Sequence, residues 1–303
     1  MAEEKKKGGP VQIRSMSSNL LSDKYRDSIM ISYQFIGDSE ADVSFDFFGR
    51  SFKTPILAGP IGGQHHHECG IIGYARAINE AGSVYFSDYH NPDIWKQFLE
   101  EGLAAARVLK PLADNEQLLE DIRYDTEHGA VAYAMDISHG MTVYGVDDGQ
   151  KGKAFKSKTK EELKMLNDAS PLPFFLKDVQ CVRDALIAKE IGIAGLILSG
   201  HNNRFPCAVP PLMILPEIRK AVGDEMKIFV DGGILTGYDA FKALALGADG
   251  VLCARGLLGA YMQGGPEGLT AKINEMTAEL KGAMAATGSA DLKHINTDSI
   301  VIL

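Results

Sequence analysis

Eight short apolar runs recur through this chain, each followed by a stretch able to form a helix, and that alternation limits the fold more than any other feature. The runs lie at 55–58, 83–86, 105–109, 131–135, 173–176, 195–198, 227–230 and 250–253. Most are continuously apolar, the pattern of parallel strands covered on both faces. Helix-compatible stretches lie at 74–80, 94–101, 117–127, 161–168, 182–190, 212–221, 238–246 and 266–286. Eight alternations without a run of strands alone predict an α/β fold, a closed (β/α)8 TIM barrel rather than an open doubly wound sheet.

The 303 residues suit one such barrel of roughly 250 residues with a short extension. Residues 1–50 are read as an N-terminal extension or cap and 51–303 as the barrel. Within the extension, 29–33 and 43–48 are expected to form a cap or short hairpin across the barrel's bottom. The segment 138–158 follows the fourth run and is rich in Gly, Lys and Asp. It leaves the strand end at which barrel active sites form, so it is read as a lid. A hydrophobic content of 45% supplies a full core, and a net charge of -9 argues against general nucleic-acid binding. No window approaches the roughly 18–20 apolar residues of a membrane span, and 1–10 is charged and Gly-rich, unlike a signal peptide. Cys69, Cys181, Cys207 and Cys253 show neither CxxC nor zinc-ligand spacing. No disulfide framework is implied, and a cytoplasmic protein is expected.

The stretch KIFVDGGILTGYDAFKALALGADGVLCARGLL, 227–258, carries the first chemistry. Gly232 and Gly233 after Asp231 let the backbone turn sharply, and Thr236 can cap the following helix. Arg255 comes just beyond the last strand. Exposed amides, a helix N-terminus and an arginine after two successive strands make a phosphate site, which in a (β/α)8 barrel lies after strands seven and eight.

FLKDVQCVRDALIAKEIGIAGLILSGHNNR, 175–204, resembles the FMN-dependent 2-hydroxy-acid dehydrogenase and oxidase family, which includes glycolate oxidase. In that family one strand ends in Leu-Lys-Gly and the next in Ser-Asn-His-Gly-Gly-Arg. The 227–258 stretch is similar to the family's Asp-Gly-Gly-Ile-Arg-Thr-Gly and Gly-Arg phosphate motifs. TPILAGPIGG, 54–63, is similar to its first strand and flavin-contacting loop, and ELKGAMAATGSADLKHI, 279–295, to its last helix and tail. The resemblance runs from 43 to the end in the family's order, and is particularly marked to a short bacterial branch carrying Pro-Ile-Gly-Gly.

The resemblance implies FMN as cofactor and oxidation of a small carboxylate substrate, a 2-hydroxy acid, to the 2-oxo acid by hydride transfer to flavin N5. His201 would accept the hydroxyl proton, as a group titrating near neutrality can. Asp136 would hydrogen-bond that histidine and steady its cation. Arg204 offers a fork for the substrate carboxylate, and Lys177 would face the flavin N1/O2 edge and steady the reduced form. Pro60, Ile61, Gly62, Ser87, Lys110, Ser199 and Asp231 are expected around the flavin, and Gly232, Gly233, Ala254 and Arg255 around its phosphate. Plainer readings stay open: Lys177 can simply pair with a barrel carboxylate, and Asp136 can cap a turn.

The chain also departs from the family's pattern. Leu235 stands where the phosphate turn carries arginine, and Ala254 precedes Arg255 in place of glycine. Gly200, Asn202 and Asn203 replace Asn, Gly and Gly around the histidine, and Cys207 lies where an aspartate is expected. Lys110 is close to the place of a substrate-binding tyrosine, and 138–158 shows no clear second carboxylate-binding arginine. His65, His66, His67, Glu68 and Cys69 offer metal-ligand chemistry, but adjacent loop residues rarely all point inward and the resemblance requires no metal, so none is expected. Two other readings compete: a flavin-dependent isomerase related to type 2 isopentenyl diphosphate isomerase, and a barrel with a degenerate flavin site serving as a binding or assembly protein. The resemblance further implies a homotetramer or homo-octamer.

Overall fold

A computed structural model describes residues 17–36, 40–89, 91–150 and 152–303. Residues 1–16 of the expected extension and Lys151 of the expected lid lie outside the described residues. Eight parallel strands close into a barrel: β1 (Ile56–Ala58), β2 (Tyr85–Ser87), β3 (Ala105–Leu109), β4 (Ala132–Asp136), β5 (Phe174–Lys177), β6 (Gly195–Ser199), β7 (Lys227–Asp231) and β8 (Gly250–Cys253). Closure comes from β8 pairing with β1, Val251 opposite Ile56. All eight expected strands are present. Five of them extend one residue past the apolar run, because the ladder continues through a polar residue: Lys177 pairs with Asp136 and Ser199 with Asp231. That register sets the site's polar residues side by side.

The helices are α1 (Ser18–Ser28), α2 (Gly70–Glu80), α3 (Pro92–Glu100), α4 (Asn115–His128), α5 (Lys160–Asp168), α6 (Val182–Glu190), α7 (Pro211–Val222), α8 (Gly237–Ala245) and α9 (Arg255–Ala285). Helix α9 breaks at Gly265, whose φ of 62° only glycine adopts readily, just before Pro266. The helix expected from 266 is therefore the second part of α9, and a further short helix opens at Arg255.

Inside the barrel, Leu57, Phe86, Val108, Phe175, Ile197, Phe229 and Leu252 form a buried cluster. A hairpin of Phe45–Phe47 and Arg50–Phe52 closes one end. Its Phe47 stacks on Phe175 with centroids 6.0 Å apart. Val84 and Val131, which precede β2 and β4, belong to the same cluster, so the plug sits at the strands' N-terminal end as 43–48 was expected to do. The rest of the extension behaves differently. Ile29–Ile31 pairs antiparallel with Ile300–Ile302 instead of crossing the bottom. Helix α1, which no periodicity announced, lies at the opposite mouth.

Candidate active site

The C-terminal ends of β4 to β7 bring four polar side chains into a space that apolar neighbours close. Lys177 is fully buried, and an ammonium there requires anions. It has three: Asp178 Oδ1 at 2.8 Å, Asp136 Oδ1 at 3.0 Å and Asp231 Oδ2 at 3.7 Å. Burial alone would lower its pKa, but these carboxylates outweigh burial and raise it. Asp136 is also buried, which favours its neutral form; Lys177 and Lys110 prevail and hold its pKa below the usual range. Lys110 pairs with Asp136 Oδ2, so it joins this network rather than lining the cavity above. Ser199 donates to Asp231 at 2.9 Å. Asp231 differs from the other two, since burial raises its pKa more than Lys177 lowers it.

His201 follows β6 in a left-handed conformation, φ 43°, continued by Asn202 at 52° and Asn203 at 65°. Its N–H donates to Ser199 Oγ at 3.0 Å. The hydrogen bond expected between its ring and Asp136 is made by Asp178 instead. Asp178 Oδ2 is 2.9 Å from Nδ1, whereas Asp136 Oδ1 is 3.8 Å away. The displacement has a cause: Lys110 and Lys177 both hold the Asp136 carboxylate toward β3 and β5.

The other ring nitrogen of His201, Nε2, faces Nε2 of His139 at 3.3 Å. Burial and then Lys110 push the His139 pKa down to about 4, so this ring is neutral near neutral pH. Arg204 likewise meets the 138–148 loop. Its Nε donates to the Ser138 carbonyl at 3.1 Å and its terminal nitrogen to the Met141 carbonyl at 3.1 Å and to Asp148. His201 and Arg204 both follow β6, and both are engaged by residues of the 138–148 loop.

Next to this cluster lies a cavity of about 310 Å³. Pro60, Ile61 and Gly62 line one side, Gly232, Gly233, Ala254 and Arg255 another, and Asp136, Lys177, Ser199, Asp231 and His201 its floor. Gly232 and Gly233 turn with φ of 121° and 78°. A Cβ at Gly62 would meet nothing within 4 Å. Arg255 opens α9, is exposed, and has no carboxylate partner among the described residues. Thr236 caps α8 with a reciprocal bond from Asp239. Ser87 is buried at the end of β2 and does not reach the cavity surface.

Sequence reasoning missed one wall of this cavity. Ser18, Asn19, Ser22 and Asp23 of α1 line it. Asn203 Oδ1 accepts from the Ser18 N–H at 2.9 Å, and Asn202 Oδ1 from the Asn19 amide at 3.0 Å. Arg26 donates to the Gly233 carbonyl at 2.7 Å. The two asparagines that depart from the glycine pattern therefore dock α1. Asp178, His139 and Asp148 were also missed. For Asp178 a signal existed, since it stands where the Leu-Lys-Gly pattern has glycine. His67 accepts from the Cys69 N–H at 3.1 Å and lies on the Tyr261 ring, centroids 4.5 Å apart, away from the cluster.

Comparison with known proteins returns one family, described as FMN-dependent dehydrogenase, matching residues 99–302. A 2-hydroxyacid oxidase of Dictyostelium discoideum is 36% identical over a segment spanning 48% of this chain and 37% of that protein. Glycolate oxidase 3 of Arabidopsis thaliana is 28% identical, covering 86% of this chain and 82% of its own length. Among solved structures, a mandelate oxidase variant with a monooxide FMN adduct superposes with a TM-score of 0.84 at 25% identity, covering 95% of this chain and 91% of its own.

Proposed function

The chain belongs to the FMN-dependent dehydrogenase family, and from that premise we propose that it oxidises a small 2-hydroxy acid to the 2-oxo acid with His201 as proton acceptor. The observation that carries this reading is the carboxylate-bound imidazole of His201 at the floor of a cavity with an anion cradle at its rim.

The residues present fit FMN. A guanidinium with no carboxylate partner among the described residues, two glycines at positive φ and a helix N-terminus make an anion cradle at one end of the cavity. Gly232, Gly233, Ala254 and Arg255 would hold the phosphate; Pro60, Ile61, Gly62, Ser199, Asp231 and Lys177 would border the rest. Ser87 and Lys110 would support it from beneath. When bound, FMN supplies the hydride acceptor. Leu235, with 45% of its surface exposed, leaves the phosphate turn one cation short of the family pattern.

The chain's own groups do the proton work. His201 Nε2 takes the hydroxyl proton, and the imidazolium so formed faces Asp178 and Asp136, whose charges favour it. Two ammonium groups against three carboxylates leave this buried cluster with one net negative charge before the proton arrives. Arg204 binds the substrate carboxylate once the lid loop releases its fork. Lys177 holds Asp136, Asp178 and Asp231 in place and presents its charge to the cavity floor. A homotetramer or homo-octamer in the cytoplasm completes the reading. No helix among the described residues is long and apolar enough to cross a membrane.

The test is product formation. The FMN-loaded protein is incubated with a panel of 2-hydroxy acids and an artificial electron acceptor, and 2-oxo acid is quantified. One or more acids should be oxidised, and His201→Gln should lower kcat by about 10²–10⁴-fold with FMN retained. Full turnover by that variant would contradict the reading.

A further inference from the structure

Asp178 is the residue at this site that local structure explains least well. It is 6% exposed and its φ is 73°, in the left-handed region that costs any residue with a Cβ. Its carboxylate has three partners. Oδ1 accepts from Lys177 Nζ at 2.8 Å, while Oδ2 accepts from Ser138 and lies 2.9 Å from His201 Nδ1. A glycine would relieve the backbone and forfeit all three contacts.

The contact with His201 decides where the imidazole carries its proton. Two groups compete for Nδ1. Asp178 can only accept a hydrogen bond, and Lys177 Nζ, 3.3 Å from the same nitrogen, can only donate one. The shorter contact belongs to the carboxylate. Lys177 also has two nearer oxygens, on Asp178 and Asp136. Nδ1 therefore bears the proton, and Nε2 is left with the lone pair. Without the Asp178 carboxylate, Lys177 would donate to Nδ1, the proton would move to Nε2, and the accepting lone pair would be lost.

We propose that Asp178 is a positioning residue: it fixes the Nδ1–H tautomer and the orientation of His201, while Asp136 anchors the two lysines. The proposal rests on the reading of His201 as proton acceptor. Its effect belongs to a set of facing charges, namely Lys177 from β5, Asp136 from β4 with Lys110 behind it, Asp231 from β7, and His139 and Arg204 at the lid.

Two variants of the full-length, FMN-loaded protein test it: Asp178→Asn and Asp178→Gly. Both Asp178 variants should lose kcat by roughly 10²–10⁴-fold, the range for a mis-set general base, with KM and FMN affinity changed less than about threefold. Asp178→Gly relieves the positive φ but gives up a buried ion pair, so its far-UV circular dichroism is compared with the parent's to show that it folds. A purely structural residue would not give that combination. Histidine ¹⁵N spectra provide a readout independent of turnover: His201 should be the Nδ1–H tautomer in the parent and Nε2–H in Asp178→Asn. The proposal is overturned if the parent already has Nε2–H, or if Asp178→Gly keeps the parent's tautomer and kcat. A parent with the Nδ1–H tautomer that oxidises no hydroxy acid would instead sink the functional reading and leave the tautomer assignment standing.

Discussion

In the proposed FMN site, Arg255 and Leu235 would set the phosphate end of the cavity between them. Arg255 is exposed and has no acidic partner among the described residues, so its charge is free for a ligand. A charge-assisted hydrogen bond contributes about 1.5–3 kcal/mol, so Arg255→Ala should weaken FMN binding by about 10–100-fold. Leu235→Arg returns a cation to a half-exposed position and should tighten it. Quenching of flavin fluorescence measures both, and equal affinities across the three proteins would remove the phosphate from this corner. At this scale the sequence was readable wherever a chemically committed side chain ended or closely followed a strand: Lys177 ends β5, and His201 and Arg255 come two residues after β6 and β8. Asp178 was not, because an aspartate after a strand reads as a turn residue. Its place in the Leu-Lys-Gly pattern marked a departure, but its backbone angle and its three partners are what give that departure a role.

The 138–158 loop, expected as a lid, lies across the mouth with its own groups on the two side chains a hydroxy acid would need. His139 meets Nε2 of His201, and Asp148 pairs with Arg204. Under the proposed function, substrate would displace both, which calls for the loop to open. That opening is linked to pH through His139. Burial and Lys110 hold its pKa near 4 when the loop is closed; in an open loop it returns toward the ordinary value of about 6.5. Between these values the open state binds more protons, so acidification through that window favours opening, and the closed state regains its advantage as pH rises. Limited proteolysis within 141–150 should therefore be faster at about pH 5 than above about pH 7, and His139→Gln should flatten the difference. A rate that rises with pH in the parent would contradict this linkage. The loop's composition marked it as a segment apart, but composition carries no information on what it touches. Helix α1 was hidden for a related reason: its residues face a polar cavity and other polar groups, so no apolar stripe reveals it.

At the scale of the whole molecule, two segments far apart in the sequence meet. Ile29–Ile31, directly after α1, pairs with Ile300–Ile302 near the C-terminus. The barrel itself was legible because its eight strands are buried on both faces and leave continuous apolar runs. A three-residue pairing between segments some 270 positions apart leaves no local trace. Removing 300–303 should free the segment that tethers α1. Melting temperature should fall by several degrees, at about 2–4 °C per kcal/mol for a chain of this size, and FMN affinity should fall with it. Unchanged FMN affinity in the truncated protein would separate α1 from the cofactor site. The proposed function has this cavity couple a flavin to a proton acceptor acting on a 2-hydroxy acid. It is met most directly by anaerobic absorbance of the FMN-loaded protein mixed with protiated and 2-deuterated acids. One enantiomer should bleach the visible flavin band, and its 2-deuterated form should do so more slowly. A flavin band that dithionite bleaches and no 2-hydroxy acid does would contradict it.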